Sequence, residues 1–146
     1  HDTQSVLEAY DQLLADPNQP LINRAISGDL YFPGSTFKIL VAAAAIDSGQ
    51  FTPDDAFPNP ARLTLPLSTD EISNAGGDTC GPGDTATIAT ALRLSCNIPF
   101  AQLGLVLGED TLARYTEAFG FGTAFEVPMT ATPSSFPTGL DDAQLM

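Results

Sequence analysis

Phe32-Pro33-Gly34-Ser35-Thr36-Phe37-Lys38-Ile39-Leu40-Val41-Ala42-Ala43-Ala44-Ala45-Ile46 is the stretch on which the reading of this chain turns. A Pro-Gly turn delivers Ser35 to the first turn of a helix, and Lys38 follows three residues later on the same helical side. Hydroxyl and amine can then share one proton. Lys38 is also the only lysine, in a chain with 5 basic residues against 18 acidic ones. From Ser35 to Ser48 the segment is apolar on nearly every side, which predicts a helix buried at a domain centre and ended by Gly49. Its N-terminus offers a partial positive charge and free N–H groups that favour a developing alkoxide or oxyanion. The plain alternative is a serine N-cap followed by a half-buried, snorkelling lysine. A cap needs no lysine, however, and burying an amine costs free energy unless its charge is paired or lost. Burial lowers the amine's pKa and makes it a general base near neutral pH. Ser35 and Lys38 therefore read as a catalytic pair.

On the N-terminal side of this helix, residues 4–15 place Val6, Leu7, Tyr10, Leu13 and Leu14 on one helical stripe, with Thr3 as N-cap and Pro17 as stop. On the C-terminal side, Phe51 to Gly83 is rich in Pro, Gly, Asp and Asn and reads as loops with one short strand pair. A helix is expected over Thr85–Leu94, stopping at Ser95-Cys96-Asn97. Another starts near Pro99 and runs to Gly108. A third opens at Glu109-Asp110, shows Leu112, Tyr115 and Phe119 on one face, and closes at Gly120. Thr123 to Gly139 holds several prolines and reads as irregular, and Leu140 to Met146 looks like the start of a further helix. Helix dominates this expectation, and strands are nearly missing.

Composition narrows the function. A length of 146 residues with 43% apolar content suffices for one packed domain. A formal charge of −13 leaves no basic patch to displace counterions from phosphates, which argues against nucleic acid as a partner. It also disfavours docking on anionic lipid. The longest apolar run, Ile39 to Ile46, is far short of the roughly 20 residues a membrane-spanning helix needs. Two cysteines and the sole histidine, His1, leave no zinc pattern and little room for a Ser-His-Asp triad. No metal and no cofactor is expected. The chain opens at His1 and stops inside an apparent helix start, so we expect a segment of a longer polypeptide.

Ser95-Cys96-Asn97 is the second chemical motif. A turn between two helices can push a hydroxyl and an amide into a cleft, the hydroxyl relaying a proton and the amide holding a substrate carbonyl. Serine and asparagine also favour turns for their own reasons, so this triplet informs only as partner to the first motif.

Pro33-Gly34-Ser35-Thr36-Phe37-Lys38, then Ser95-Cys96-Asn97, then Phe100-Ala101-Gln102-Leu103-Gly104 together resemble the transpeptidase domain of penicillin-binding proteins. Pro20-Leu21-Ile22-Asn23-Arg24-Ala25 before them and Phe119-Gly120-Phe121-Gly122 after them look like the class B branch. The resemblance implies an α+β fold of the serine D,D-peptidase/β-lactamase type, of which residues 1–146 hold mainly the helical part. It implies Ser35 as nucleophile, Lys38 as base, Ser95 as proton relay to the leaving amine and Asn97 as holder of the donor peptide backbone. The substrates would be peptidoglycan stem peptides, mimicked by β-lactam antibiotics. A membrane glycan polymerase and division or elongation proteins would be partners through regions outside this chain. The domain would lie on the extracytoplasmic face of the cell membrane, anchored by an N-terminal segment not in this sequence.

One family motif is missing. The Lys-Thr-Gly or Lys-Ser-Gly strand has no counterpart, because Lys38 is the only lysine. In the family that strand supplies a second cation and one of two oxyanion-hole N–H groups, and loss of one such donor costs on the order of 10²–10³ in rate. The segment alone is therefore expected to be inactive. An extracytoplasmic location also permits a Cys80–Cys96 disulfide, closing a loop worth about 3 kcal/mol, with two free thiols as the alternative. D,D-carboxypeptidase, β-lactamase or β-lactam sensor are runner-up activities on the same machinery. A non-catalytic helical interaction module with an inert Ser35 is the reading from outside that class.

Overall fold

The computed structural model describes residues 2–146, so His1 lies outside the described residues. The chain divides into two compact units: residues up to Phe32 together with Thr123–Ser134, and Pro33–Gly122 together with Ser135–Met146.

The first unit contains one helix, α1 (Thr3–Ala15). Its N-cap is Asp2, whose carboxylate accepts from the Gln4 N–H, so the helix takes in Thr3 rather than being capped by it. The carboxylate can reach back to a free helix N–H, and the threonine is left to helical geometry. A backbone bond from the Thr132 N–H to the Ile26 carbonyl (2.8 Å) ties the later segment to the earlier one.

The second unit holds the core. α2 (Phe37–Asp47) is entered through a 3₁₀ turn at Gly34–Thr36. β1 (Ala56–Pro58) pairs antiparallel with β4 (Thr85–Thr87), and β2 (Arg62–Thr64) with β3 (Glu71–Ser73). Two strand pairs thus stand where the loop-rich sequence suggests one. The second was hidden in Thr85-Ala86-Thr87, which reads as a helix start but alternates, burying only Ala86. α3 (Ile88–Leu94) begins after it, with Thr87 Oγ1 accepting from the Thr90 N–H at 3.1 Å.

α4 runs Asn97–Ala118 with one break at Gly108, whose φ of 73° and ψ of 166° are open in practice only to glycine. The two helices expected on either side of that glycine are the two halves of α4. A short α5 (Asp142–Leu145) closes the unit, with a capping box at Asp141. The architecture is α+β with very little sheet among the described residues, in line with the fold that the family resemblance implies.

α2 and α4 form the centre. Ala42, Ala44 and Ala45 keep the α2 surface low, and Phe100, Leu103 and Leu107 of α4 fill the space against them. α2 is not buried all round as its composition suggests: Ile39 is 60% and Ile46 43% exposed. The all-apolar sequence marks faces that can be covered, and within this unit only one is.

Candidate active site

Both chemical motifs sit at helix ends of the second unit. Gly34 has φ +59°, in the left-handed region that a side chain resists, so the Pro-Gly pair turns sharply enough to start the 3₁₀ turn carrying Ser35. Ser35 is exposed, and Lys38 in the first turn of α2 is half-buried. Ser95 is the C-cap of α3, and Asn97 is the first residue of α4. Ser95 also has a left-handed backbone (φ 59°, ψ 39°), which lets two helices meet across a two-residue corner.

The fold brings the four residues to one point. Lys38 Nζ lies 3.3 Å from Ser35 Oγ and 3.3 Å from Ser95 Oγ. It donates to the Ser95 carbonyl at 2.7 Å and to Asn97 Oδ1 at 2.6 Å. The Phe100 ring centroid is 5.9 Å from the nitrogen. The Ser95 carbonyl and Asn97 Oδ1 can only accept, so two amine N–H groups are committed to them. The fourth tetrahedral position faces the hydroxyls, which can donate or accept. A neutral amine presents its lone pair there, and an ammonium presents its third N–H. This arrangement thus suits both protonation states. Partial burial pulls the Lys38 pKa below its ordinary value, toward the neutral form. Among the described residues no carboxylate pairs with Lys38 to oppose that shift.

A cleft of about 420 Å³ opens beside these groups, with Gly34, Lys38, Ser73, Asn97 and Phe100 among its walls. It offers apolar surface from Phe100 and Leu112 and a small set of polar atoms, as ligand sites generally do. No cluster of metal-ligating side chains occurs among the described residues.

Cys80 and Cys96 are joined by a disulfide, with their Cα atoms 5.5 Å apart. It fixes the residue between Ser95 and Asn97 to the loop that follows β3. Three residues that sequence reasoning missed surround this point. Asn97 Nδ2 donates to the Ser73 carbonyl at 2.9 Å, and the Asn97 N–H donates to Asn74 Oδ1 at 2.9 Å. Asn74 lies next to Asn59, and both are buried. In the sequence both stand among prolines and glycines and read as turn residues. Two asparagines in the loop-rich stretch at such low exposure carry no local signal beyond that.

With this geometry in view, the comparisons agree with the motif reading. The family model of the penicillin binding protein transpeptidase domain matches residues 1–139. The chain belongs to that family. The peptidoglycan D,D-transpeptidase PbpA of Mycolicibacterium smegmatis is 43% identical over 123 residues, covering 84% of this chain and 25% of that protein. The peptidoglycan D,D-transpeptidase MrdA of Haemophilus influenzae is 34% identical over 133 residues, covering 90% of this chain and 20% of that protein. Among solved structures, penicillin-binding protein A from M. tuberculosis as a ceftriaxone acyl-enzyme superposes with a TM-score of 0.88 at 36% identity, covering 99% of this chain and 32% of that one. This chain spans about a quarter or less of the length of the relatives it matches.

Proposed function

We propose that this chain is the serine- and lysine-bearing part of a peptidoglycan D,D-transpeptidase working through a serine acyl-enzyme. The observation that carries the reading is the placement of Lys38 Nζ 3.3 Å from both the Ser35 and the Ser95 hydroxyl. Ser35 Oγ attacks the penultimate D-alanyl carbonyl of a stem peptide as its proton passes to neutral Lys38. The tetrahedral intermediate collapses when the terminal D-alanine amine leaves with a proton delivered through Lys38 and Ser95. The acyl group then stays on Ser35 until an amine of a neighbouring stem attacks it. The ester bond to Ser35 breaks as the cross-link amide forms, and the amine's proton passes through Ser95 and Lys38 to Ser35 Oγ.

Asn97 has a second task in this scheme. Its Oδ1 orders the amine, and its place on the wall of the cleft lets the same amide meet the donor backbone. No carboxylate neighbours Ser35 or Lys38 among the hydrogen bonds of the described residues. Activation of a hydrolytic water is thus poorly provided for, which favours transpeptidation over β-lactamase or carboxypeptidase activity.

Residues 1–146 are, on this reading, one part of a transpeptidase domain whose Lys-Thr-Gly strand lies elsewhere in a longer protein. The segment alone is then inactive. The domain works on the outer face of the cell membrane, held by an anchor outside this sequence and partnered by a glycan polymerase. The test is intact-mass spectrometry of the full-length protein before and after benzylpenicillin, with the adduct mapped by proteolysis. One acyl group on Ser35, lost in Ser35→Ala, is the expected result. An unmodified Ser35 in the full-length protein overturns the proposal.

A further inference from the structure

The start of α4 is held by residues far from it in sequence. The first N–H groups of a helix have no intrahelical partner and are usually capped by the side chain just before the helix. Here that residue is Cys96, whose sulfur is committed to the disulfide and makes no cap. Asn74 does the capping instead, its Oδ1 accepting from the N–H groups of Asn97 (2.9 Å) and Ile98 (3.1 Å).

Asn74 is itself seated. Its Nδ2 donates toward the Pro60 and Asp78 carbonyls at 3.3 Å each and toward Asn59 Oδ1 at 3.4 Å. Asn59, with no exposed surface, is clamped on Cys80: its Nδ2 donates to the Cys80 carbonyl (2.9 Å) and its Oδ1 accepts from the Cys80 N–H (3.3 Å). Its backbone N–H donates to the Asp84 carbonyl at 2.8 Å. Each amide has donor and acceptor sides both used, so a flip of either loses bonds at both ends. No buried side-chain nitrogen or oxygen lacks a partner among the described residues.

We propose that Asn74, seated by Asn59, is a positioning residue for the serine–lysine pair: it fixes the first residue of α4 so that the Asn97 amide turns its oxygen, not its nitrogen, toward Lys38. The Ser73 carbonyl demands a donor from Asn97, and Lys38 demands an acceptor. Both demands are met by one amide only while the Asn97 backbone stays where Asn74 holds it. Displacement of α4 by a fraction of an ångström stretches the 2.6 Å contact and admits water to the amine. The inference rests on the proposed acyl-transfer reading for its catalytic meaning, and on the geometry alone for its structural part.

The test compares Asn74→Ala, Asn74→Asp and Asn59→Ala in the full-length protein. Three readouts are taken: amide hydrogen exchange at Asn97 and Ile98, the pH profile of Ser35 acylation by benzylpenicillin, and Tm. In Asn74→Ala, acylation slows on the order of 10- to 100-fold, as expected for misplaced catalytic groups. The limb of the profile that reports Lys38 moves to higher pH as the amine regains water, and exchange at Asn97 and Ile98 quickens. Asn74→Asp keeps an acceptor at the helix N-terminus but sets its second oxygen against the Pro60, Asp78 and Asn59 acceptors, so it recovers exchange protection and rate only in part.

A folded Asn74→Ala protein with the parent's rate and pH limb, and only a lower Tm, overturns the proposal. If Asn74→Ala does not fold, Asn59→Ala decides, since Asn74 keeps its capping oxygen and its contacts with the Pro60 and Asp78 carbonyls there and loses the Asn59 side of its seat. A several-fold slower acylation with a displaced limb then supports the proposal, and an unchanged profile overturns it. Should the parent protein not be acylated at all, the acyl-transfer reading fails separately. Exchange at Asn97 and direct titration of the Lys38 amine in the variants still decide the positioning role.

Discussion

α1 carries Val6, Leu7, Tyr10, Leu13 and Leu14 on a regular helical stripe, and each remains between 41% and 58% exposed. α2 has no stripe, being apolar nearly all round, and it buries Leu40, Val41, Ala42, Ala44 and Ala45. The sequence pattern is better in the helix that buries nothing within these 146 residues. Periodicity says which face of a helix is able to be covered. Coverage itself requires neighbours, and α2 has them in α3 and α4 of its own unit. The lowered pKa of Lys38 belongs to the buried helix, because packing there strips water from the amine.

The largest test of this contrast is amide hydrogen exchange along the two helices. In the 146-residue segment, the central turns of α2 are expected to exchange several orders of magnitude more slowly than α1, since protection tracks buried contacts. Equal protection in α1 would break the comparison outright. Next in size is a pair of leucine truncations. Leu103→Ala, at a site 1% exposed, should cost about 2–5 kcal/mol. Leu14→Ala, at 58% exposure, should stay within about 0.5 kcal/mol. Denaturant melts of the two variants measure the difference.

Reduction of the Cys80–Cys96 bond sharpens the contrast from another side, because the bond braces only the unit that holds the site. Its sequence separation of 16 corresponds to about 3 kcal/mol of loop entropy, to be read as a lower denaturation midpoint in the presence of reductant. A comparable or smaller effect is expected at Gly104, where an added Cβ would lie 2.7 Å from the Leu145 carbonyl oxygen. Gly104→Ala should displace α5 at a cost of about 1–3 kcal/mol, visible as amide shift changes confined to α5 and the facing turn of α4.

The smallest effect is the pH dependence from Lys38. Its folded pKa is lowered from 10.5, so between the lowered value and 10.5 the unfolded chain holds one more proton than the folded one. Stability should therefore rise with pH across that window and be flat, as far as Lys38 is concerned, on either side of it. Lys38→Met should lack the rise. A parent and variant with parallel curves would show that the amine titrates normally.

The Ser35-x-x-Lys38 pair was legible because its parts lie within one helical turn, and the Pro-Gly turn before it announces how that turn begins. Ser95 and Asn97 were legible as a corner between helices. The halves of α4 were also legible, divided by a glycine that alone tolerates the backbone at position 108. Three-residue strands such as β4 were not, since so short an alternation is indistinguishable from a helix start without its partner β1. The buried asparagines were not either, for the same reason at the level of side chains. An amide in a loop is a turn former until the groups that satisfy it are known.

By itself, then, the sequence determined the local chemistry: a hydroxyl and the sole amine on one helix face, a second hydroxyl and an amide at a helix corner, and a charge balance hostile to nucleic acid. Only the tertiary structure decided that these two motifs meet at a single nitrogen, that α2 is the buried helix and α1 the exposed one, and that Asn74 rather than a neighbouring residue caps α4. Local propensity and periodicity act over a few residues and are written along the chain. Burial, hydrogen-bond satisfaction and the lowered pKa of Lys38 depend on groups from distant segments, and they exist only once those segments have packed together.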